Sequence, residues 1–289
     1  VAERMKFSSW VLFIGIWSIV VYAPMAHWVW GGGFIATEIQ AIDFAGGLVV
    51  HINAGAAALA LILVLGKRIG WRQTAIRPGA LPLTLLGAGI LWFGWFGFNS
   101  GSALAADGAA ANAFVTTQVA AGVAALTWIL MERFVHGKPT TLGFASGAVA
   151  GLVAVTPAAG FVSPLWALVI GIAAGVLCFG ALQLKFKFDF DDSLDVVAVH
   201  LVGGVVGALL LGLFADAAIG GTDGLFFGNA EQFLRQIGSV LVALVYSFVF
   251  AYILAVIIDR TIGLRVTEDE ERQGLDLALH DEQSWVFTE

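Results

Sequence analysis

Asp43-Phe44-Ala45-Gly46-Gly47-Leu48-Val49-Val50-His51-Ile52-Asn53-Ala54 opens an apolar run that reaches residue 66 and sets a histidine eight residues behind a carboxylate. The pattern recurs: Asp192 is followed eight residues later by His200. Small residues follow at matching offsets, Ala54, Gly55 and Ala58 after the first histidine and Gly203, Gly204 and Gly207 after the second. This reads as an internal repeat. A helix rises about 1.5 Å per residue, so each histidine falls roughly 12 Å into a hydrocarbon core about 30 Å thick. Asp43 and Asp192 then sit at helix N-termini, where a carboxylate caps free amides and suits the helix dipole.

Outward from these two runs the chain is strongly apolar, 59% hydrophobic against 12% charged over 289 residues. That surplus has to face lipid. Apolar stretches long enough to span a bilayer as helices occupy approximately residues 8 to 29, 43 to 66, 80 to 99, 112 to 135, 142 to 158, 163 to 184, 193 to 216 and 234 to 259. Short breaks such as Trp30-Gly31-Gly32-Gly33, Arg77-Pro78-Gly79 and Gly220-Gly221-Thr222-Asp223-Gly224 separate them. The expected fold is all-α: a polytopic membrane helix bundle with eight transmembrane helices. The 36 glycines suit helices that approach closely where lipid gives no hydrophobic drive to associate, and the ten Trp suit interfacial anchoring.

Cationic residues test that count, because short loops rich in Lys and Arg stay cytoplasmic. Alternate loops hold Arg4 and Lys6; Lys67, Arg68, Arg72 and Arg77; Arg133 and Lys138; Lys185 and Lys187; and Arg260, Arg265 and Arg272. Of the 14 Lys and Arg, Arg235 alone falls on the other side. The segment before residue 8 and the tail after 260 are then both cytoplasmic, with Glu38, Asp43, Asp107 and Asp223 at the outer face. By the same alternation the His51 helix starts outside and the His200 helix inside. The repeat is therefore inverted, an arrangement that commonly builds a transport site near the midplane.

Of five histidines, His27 lies near an outer end, His136 at an inner loop and His280 in the tail. His51 and His200 lie deep, and an ionisable group at that depth is costly unless it is paired or serves a purpose. Two neutral imidazoles in contact share a proton and still offer a donor or an acceptor to a small solute. No Cys, Glu or third His accompanies them, so neither metal nor cofactor is expected. The deep spans also lack a nucleophile with a base, which argues against an enzyme. Cys178, inside an apolar run, reads as a small buried hydrophobe. The net charge of −7 says nothing about substrate, because the acidic residues collect in loops and tail.

The Asp43–Ala54 stretch resembles the signature of the ammonium transporter family, as does Trp92-Phe93-Gly94-Trp95-Phe96-Gly97-Phe98-Asn99-Ser100-Gly101-Ser102. Similar matches are Trp28 to Gly33, Gly151-Leu152-Val153-Ala154-Val155-Thr156-Pro157-Ala158, Asp191 through His200, and Gly263-Leu264-Arg265-Val266. Their form is closer to the bacterial Amt branch, shared with Mep proteins, than to the Rhesus branch. The resemblance implies an eleven-helix protomer with a five-plus-five inverted repeat, assembled as a homotrimer with one pore per subunit in the cell inner (plasma) membrane. The eight spans match the family's helices four to eleven, giving a transmembrane domain over residues 1–264 and a cytoplasmic tail over 265–289. The chain opens Val1-Ala2-Glu3-Arg4 without methionine, so it is expected to be a fragment lacking its start. It is then also expected to lack an aromatic part of the outer site, and not to make a complete pore alone.

The resemblance further implies roles for single residues. Trp30 and Ser102 match an outer site that recruits ammonium, the indole by cation-π attraction and the hydroxyl by accepting a hydrogen bond. Asp43 supports that site. Phe98 matches the inner of two stacked phenyl rings that close the vestibule, with Trp95 one turn behind it. His51 and His200 match the twin histidines of the pore, and Asp195 is expected to be structural at the inner end. A bare ammonium ion in a narrow apolar tube loses much more hydration than ammonia, so deprotonation below the outer site is favoured and sodium and potassium are refused. An ammonium sensor using the same site is the alternative. A proton-coupled transporter of another small solute would want more polar groups at depth. The tail from Thr267 to Asp276 reads as a solvated acidic segment, and by resemblance it docks beneath the trimer and helps a PII-type protein regulate the pore.

Overall fold

The structure is a computed structural model in which residues 1–73 and 78–283 are described. Arg77, counted above among the inner cations, and residues 284–289 of the tail lie outside the described residues. The bundle is built from α1 (Phe7–Ile39, interrupted at Gly31–Gly33), α2 (Gly47–Leu65), α3 (Leu81–Gly101), α4 (Gly108–His136), α5 (Thr141–Val155), α6 (Pro164–Lys187), α7 (Val197–Phe214) and α8 (Ala230–Thr261). Among the described residues seven of these are long and apolar enough to cross a bilayer. The exception is α5, expected over 142 to 158, which stops at Val155 after 15 residues. Thr156 begins a turn there and Pro157 has no amide to continue the ladder. The first span, expected over 8 to 29, resumes after the Gly31–Gly33 break and ends ten residues later at Ile39, and the other boundaries fall within a few residues of those read from the sequence.

Small side chains set the packing. Ala120, Ala121 and Ala124 of α4 are fully buried against α5 and α6, in a core that also holds Trp128, Leu152, Ile170 and Cys178. A methyl built on Gly151 would meet Ala120 O at 2.4 Å, so only glycine allows that approach of α5 to α4. A second core joins the C-terminal half of α1 to α2, α7 and α8, and a third packs Phe13, Leu61, Leu65 and Ile258 around Leu264.

The loops expected on the cytoplasmic side meet at one end of the bundle. Buried Arg4 donates to Gly66 O (2.9 Å), Asp191 O (2.7 Å) and Ser193 Oγ (3.0 Å). Arg68 grips Asp191 through Nε and Nη2, each at 2.8 Å, and reaches Glu3 at 2.5 Å. Burial disfavours the Asp191 carboxylate, but hydrogen bonds from Arg68 and the charges of Arg4 and Arg68 outweigh it and hold Asp191 below the usual carboxylate range. Met5 pairs with Arg265 in an antiparallel bridge, and Glu271 accepts from the Ile69 amide and from Arg265, both at 2.7 Å. Two short tail helices, α9 (Glu268–Gln273) and α10 (Leu275–His280), follow, the first opened by a capping box from Thr267 to Glu270.

The opposite end is tied by neutral groups. Gln236 of α8 exchanges two hydrogen bonds with the backbone of Ile42, both 2.9 Å, and the Phe44 amide donates to Pro157 O at 3.0 Å. These contacts fix the directions of α2 and α7. Arg68, just past the end of α2, holds Asp191, just before α7, so the two helices run antiparallel.

Candidate functional site

Both histidines lie in π-helical turns at the starts of their helices, Gly47–Ile52 in α2 and Val197–Val202 in α7. Such widened turns recur at functional sites because they re-aim a side chain and free a backbone group. The first is organised by Asp43, whose buried carboxylate accepts from the amides of Gly46, Gly47, Leu48 and Val49 at 2.7 to 3.3 Å. Gly46 needs glycine, with φ of 123° where the chain turns into the helix. Asp192 caps the second helix more sparingly, with one bond from the Val197 amide at 2.7 Å.

The helices cross through two glycines placed reciprocally. Gly55, four residues after His51, lies against Leu201, the residue after His200; Gly204, four after His200, lies against Ile52, the residue after His51. A methyl on Gly55 would meet Leu201 N and Cβ at 2.5 Å, and one on Gly204 would meet Ile52 Cγ1 at 3.0 Å. This close crossing brings His51 Nδ1 to 3.2 Å from His200 Nδ1. One ring must donate and the other accept, so the two hold complementary tautomers.

Trp95 of α3 stacks on His51, with centroids 5.3 Å apart and planes 14° from parallel. Phe98 lies 6.4 Å from His51 and 5.6 Å from Trp95. His51 Nε2 is buried and has no hydrogen-bond partner among the described residues, an acceptor or donor left for a solute. His200 is less enclosed. It lines a cavity of about 870 Å³ that opens toward the Arg68 and Lys185 end of the bundle and is also bordered by Ser146 and Asp195. Asp195, expected to be structural, pairs with Lys185 at 2.5 Å.

Four residues read as pore positions, His51, His200, Trp95 and Phe98, are thus brought together. The outer trio is more dispersed. Trp30 donates its indole N–H to the Asp43 carbonyl at 2.8 Å and keeps 46% of its surface exposed. Ser102 donates to Phe98 O at 2.8 Å, and no hydrogen bond or ring contact joins it to Trp30. The sequence reading missed Thr156, which accepts the Trp95 N–H, and Gln236, which secures the turn carrying Asp43. Thr156 lay inside the Gly151–Ala158 match without being given a role, and the one signal for Gln236 was a polar side chain inside an apolar run. Among the described residues no three His, Cys, Asp or Glu gather as a metal site.

Comparison with known proteins sets this geometry in a family. The family model described as Ammonium Transporter Family matches residues 1–285. A protein named ammonium transporter from Mycobacterium tuberculosis is 52% identical over 99% of this chain and 64% of its own length. One of the same name from Aquifex aeolicus is 52% identical over 98% of this chain and 66% of its own. The chain therefore spans about two thirds of the length of these relatives. Among solved structures, Saccharomyces cerevisiae Mep2 aligns with TM-score 0.86 at 34% identity, covering 92% of this chain and 62% of that one. A structure titled Sensor Amt Protein aligns with TM-score 0.90 at 30% identity, covering 97% and 72%. With a family match over nearly its whole length and relatives sharing half its residues, this chain belongs to the ammonium transporter family.

Proposed function

We propose that the chain carries ammonium, as ammonia with its proton handled separately, across a membrane past His51 and His200. The observation that carries this reading is the 3.2 Å contact between two imidazoles in apolar surroundings, with the unpartnered Nε2 of His51 beside it. A bare cation there would be stripped of hydration without a counter-charge, whereas ammonia needs only a donor and an acceptor. In this reading Trp30 and Ser102 recruit the cation, Asp43 holds the turn behind Trp30, and Phe98 with Trp95 narrows the way to His51. The 870 Å³ cavity below His200 is the exit. The antiparallel α2 and α7, with their reciprocal glycines, are the two arms of an inverted repeat.

The bridge between Met5 and Arg265 places the segments before α1 and after α8 at the same end of the bundle. An even number of crossings between them is required, so we count α5 as the eighth. The end rich in paired Arg and Lys is taken as cytoplasmic in a plasma membrane, and the tail from residue 265 as the segment that meets a PII-type regulator beneath a homotrimer. An ammonium sensor is the second reading, favoured by the likeness to the structure titled Sensor Amt Protein. The test is ammonium-evoked current in proteoliposomes, with the chain alone and joined to the N-terminal part of the Aquifex relative. His51→Ala and His200→Ala are each expected to abolish it. Currents indifferent to both changes would remove the pore assignment, and ligand binding without current would favour the sensor.

A further inference from the structure

Three fully buried polar side chains, Thr156, Asn99 and Thr117, have no part in the passage just described. They form one chain. Thr156 Oγ1 accepts the Trp95 Nε1–H at 3.0 Å and lies 2.8 Å from Leu152 O and 3.3 Å from Asn99 Oδ1. Asn99 Nδ2 donates to Thr117 Oγ1 at 2.9 Å, and Thr117 donates in turn to Ala113 O at 2.6 Å. The chain links α3, α4 and the turn after α5, and it ends on the indole that stacks against His51.

The His51 ring itself is held lightly. It has one hydrogen-bond contact, through Nδ1 to His200, and its Nε2 has none. Terminal sp³–sp² torsions such as the second side-chain dihedral of histidine are broad and roughly two-fold, so a ring flip would turn Cδ2 toward His200 in place of Nδ1 and put Cε1 where Nε2 faces the passage, breaking the contact between the rings. A parallel aromatic face opposes that flip only while it is itself fixed. The indole N–H bond to Thr156 supplies the fixing, because it locks rotation of Trp95 in its own site. We propose that Thr156 is a positioning residue which, through Trp95, holds the His51 imidazole with Nδ1 toward His200 and Nε2 toward the passage. Its role in transport rests on the pore reading above, whereas its effect on ring orientation does not.

Thr156→Val keeps the shape and removes the hydroxyl, leaving the Trp95 N–H and Asn99 Oδ1 without their partner; Thr156→Ser keeps the hydroxyl. The chain carrying ¹⁵N-labelled histidine, in lipid nanodiscs, gives five ring systems that single substitutions assign. The unaltered chain and Thr156→Ser are expected to show one defined tautomer at His51, complementary to that at His200. Thr156→Val is expected to show mixed or averaged His51 nitrogens. In the fused transporter it should lower kcat for ammonium about tenfold while KM stays within about twofold, and Thr156→Ser should stay within about twofold in both. An unperturbed His51 signature in Thr156→Val, or a loss in Thr156→Ser equal to that in Thr156→Val, overturns the proposal. Should Thr156→Val fail to fold, Trp95→Phe retains the stacked ring without the donor, and the same His51 signature is required of it; a single clean tautomer there overturns the proposal too. An ordered histidine pair in a protein that passes no ammonium current would instead sink the transport reading and leave the positioning role standing.

Discussion

The two histidine-bearing helices are near copies in sequence pattern and unequal in how they are held. At the start of α2 one carboxylate satisfies four amides and Gln236 clamps the preceding residue, whereas at the start of α7 Asp192 satisfies one amide. His51 is 2% exposed, and His200 borders a wide cavity. Even the reciprocal glycines differ in closeness, with Leu201 N and Cβ at 2.5 Å from a methyl on Gly55 but Ile52 Cγ1 at 3.0 Å and Ile52 N and His51 Cβ at 3.1 Å from one on Gly204. The lesson is that matching offsets on two antiparallel helices bring two groups together, while unequal anchoring makes one arm a rigid reference and lets the other border the open side.

The sharpest way to break this comparison is at the glycines. Gly55→Ala should cost about 3 kcal/mol, because Leu201 main chain stands only 2.5 Å from the added methyl, and Gly204→Ala about 1 kcal/mol, because its neighbours stand at 3.0 to 3.1 Å and need give by only a few tenths of an ångström. Thermal unfolding in detergent measures both, and equal losses would erase the distinction. Next come the caps. Asp43→Ala leaves four buried amides unmatched and should cost about 2 to 3 kcal/mol, against about 1 kcal/mol for Asp192→Ala.

The tie between the end of α2 and the start of α7 has a pH signature. Asp191 has its folded pKa below the unfolded value of about 3.9, so its contribution is fully present above that value and is lost as pH falls through the folded one. Melting temperature plotted from pH 7 downward should therefore show an acid step below about pH 4 that Asp191→Asn largely lacks. The smallest effect belongs to the exposed pair Glu231–Arg235 on α8, where Glu231→Gln should change stability by no more than about 0.5 kcal/mol. A larger loss there would mean that the neutral end leans on charge after all.

Much of this was legible beforehand, for reasons particular residues make plain. Span limits were readable because lipid demands unbroken apolar length, and the gathering of Arg4, Arg68 and Arg265 at one end followed from loop alternation. The meeting of His51 and His200 was readable because two equal offsets entered from opposite sides. The short α5 was harder, since nothing before Pro157 says where the helix stops. Thr156 and Asn99 stood inside quoted matches and Gln236 outside any, yet the contacts of all three stayed hidden because a polar residue in an apolar run gives no bearing until neighbouring helices are in place. Trp30 and Ser102 were assigned to an outer site only through family resemblance, and no contact between them adds to that.

The open approach to His200 gives the molecule a chemical handedness. An imidazole-directed acylating reagent such as diethyl pyrocarbonate, added to vesicles at the face carrying Arg68, would reach the His200 side of the pair first. Added at the other face it would have to pass the aromatic stack over His51. The side from which modification is faster would therefore report the orientation of each inserted molecule without any label.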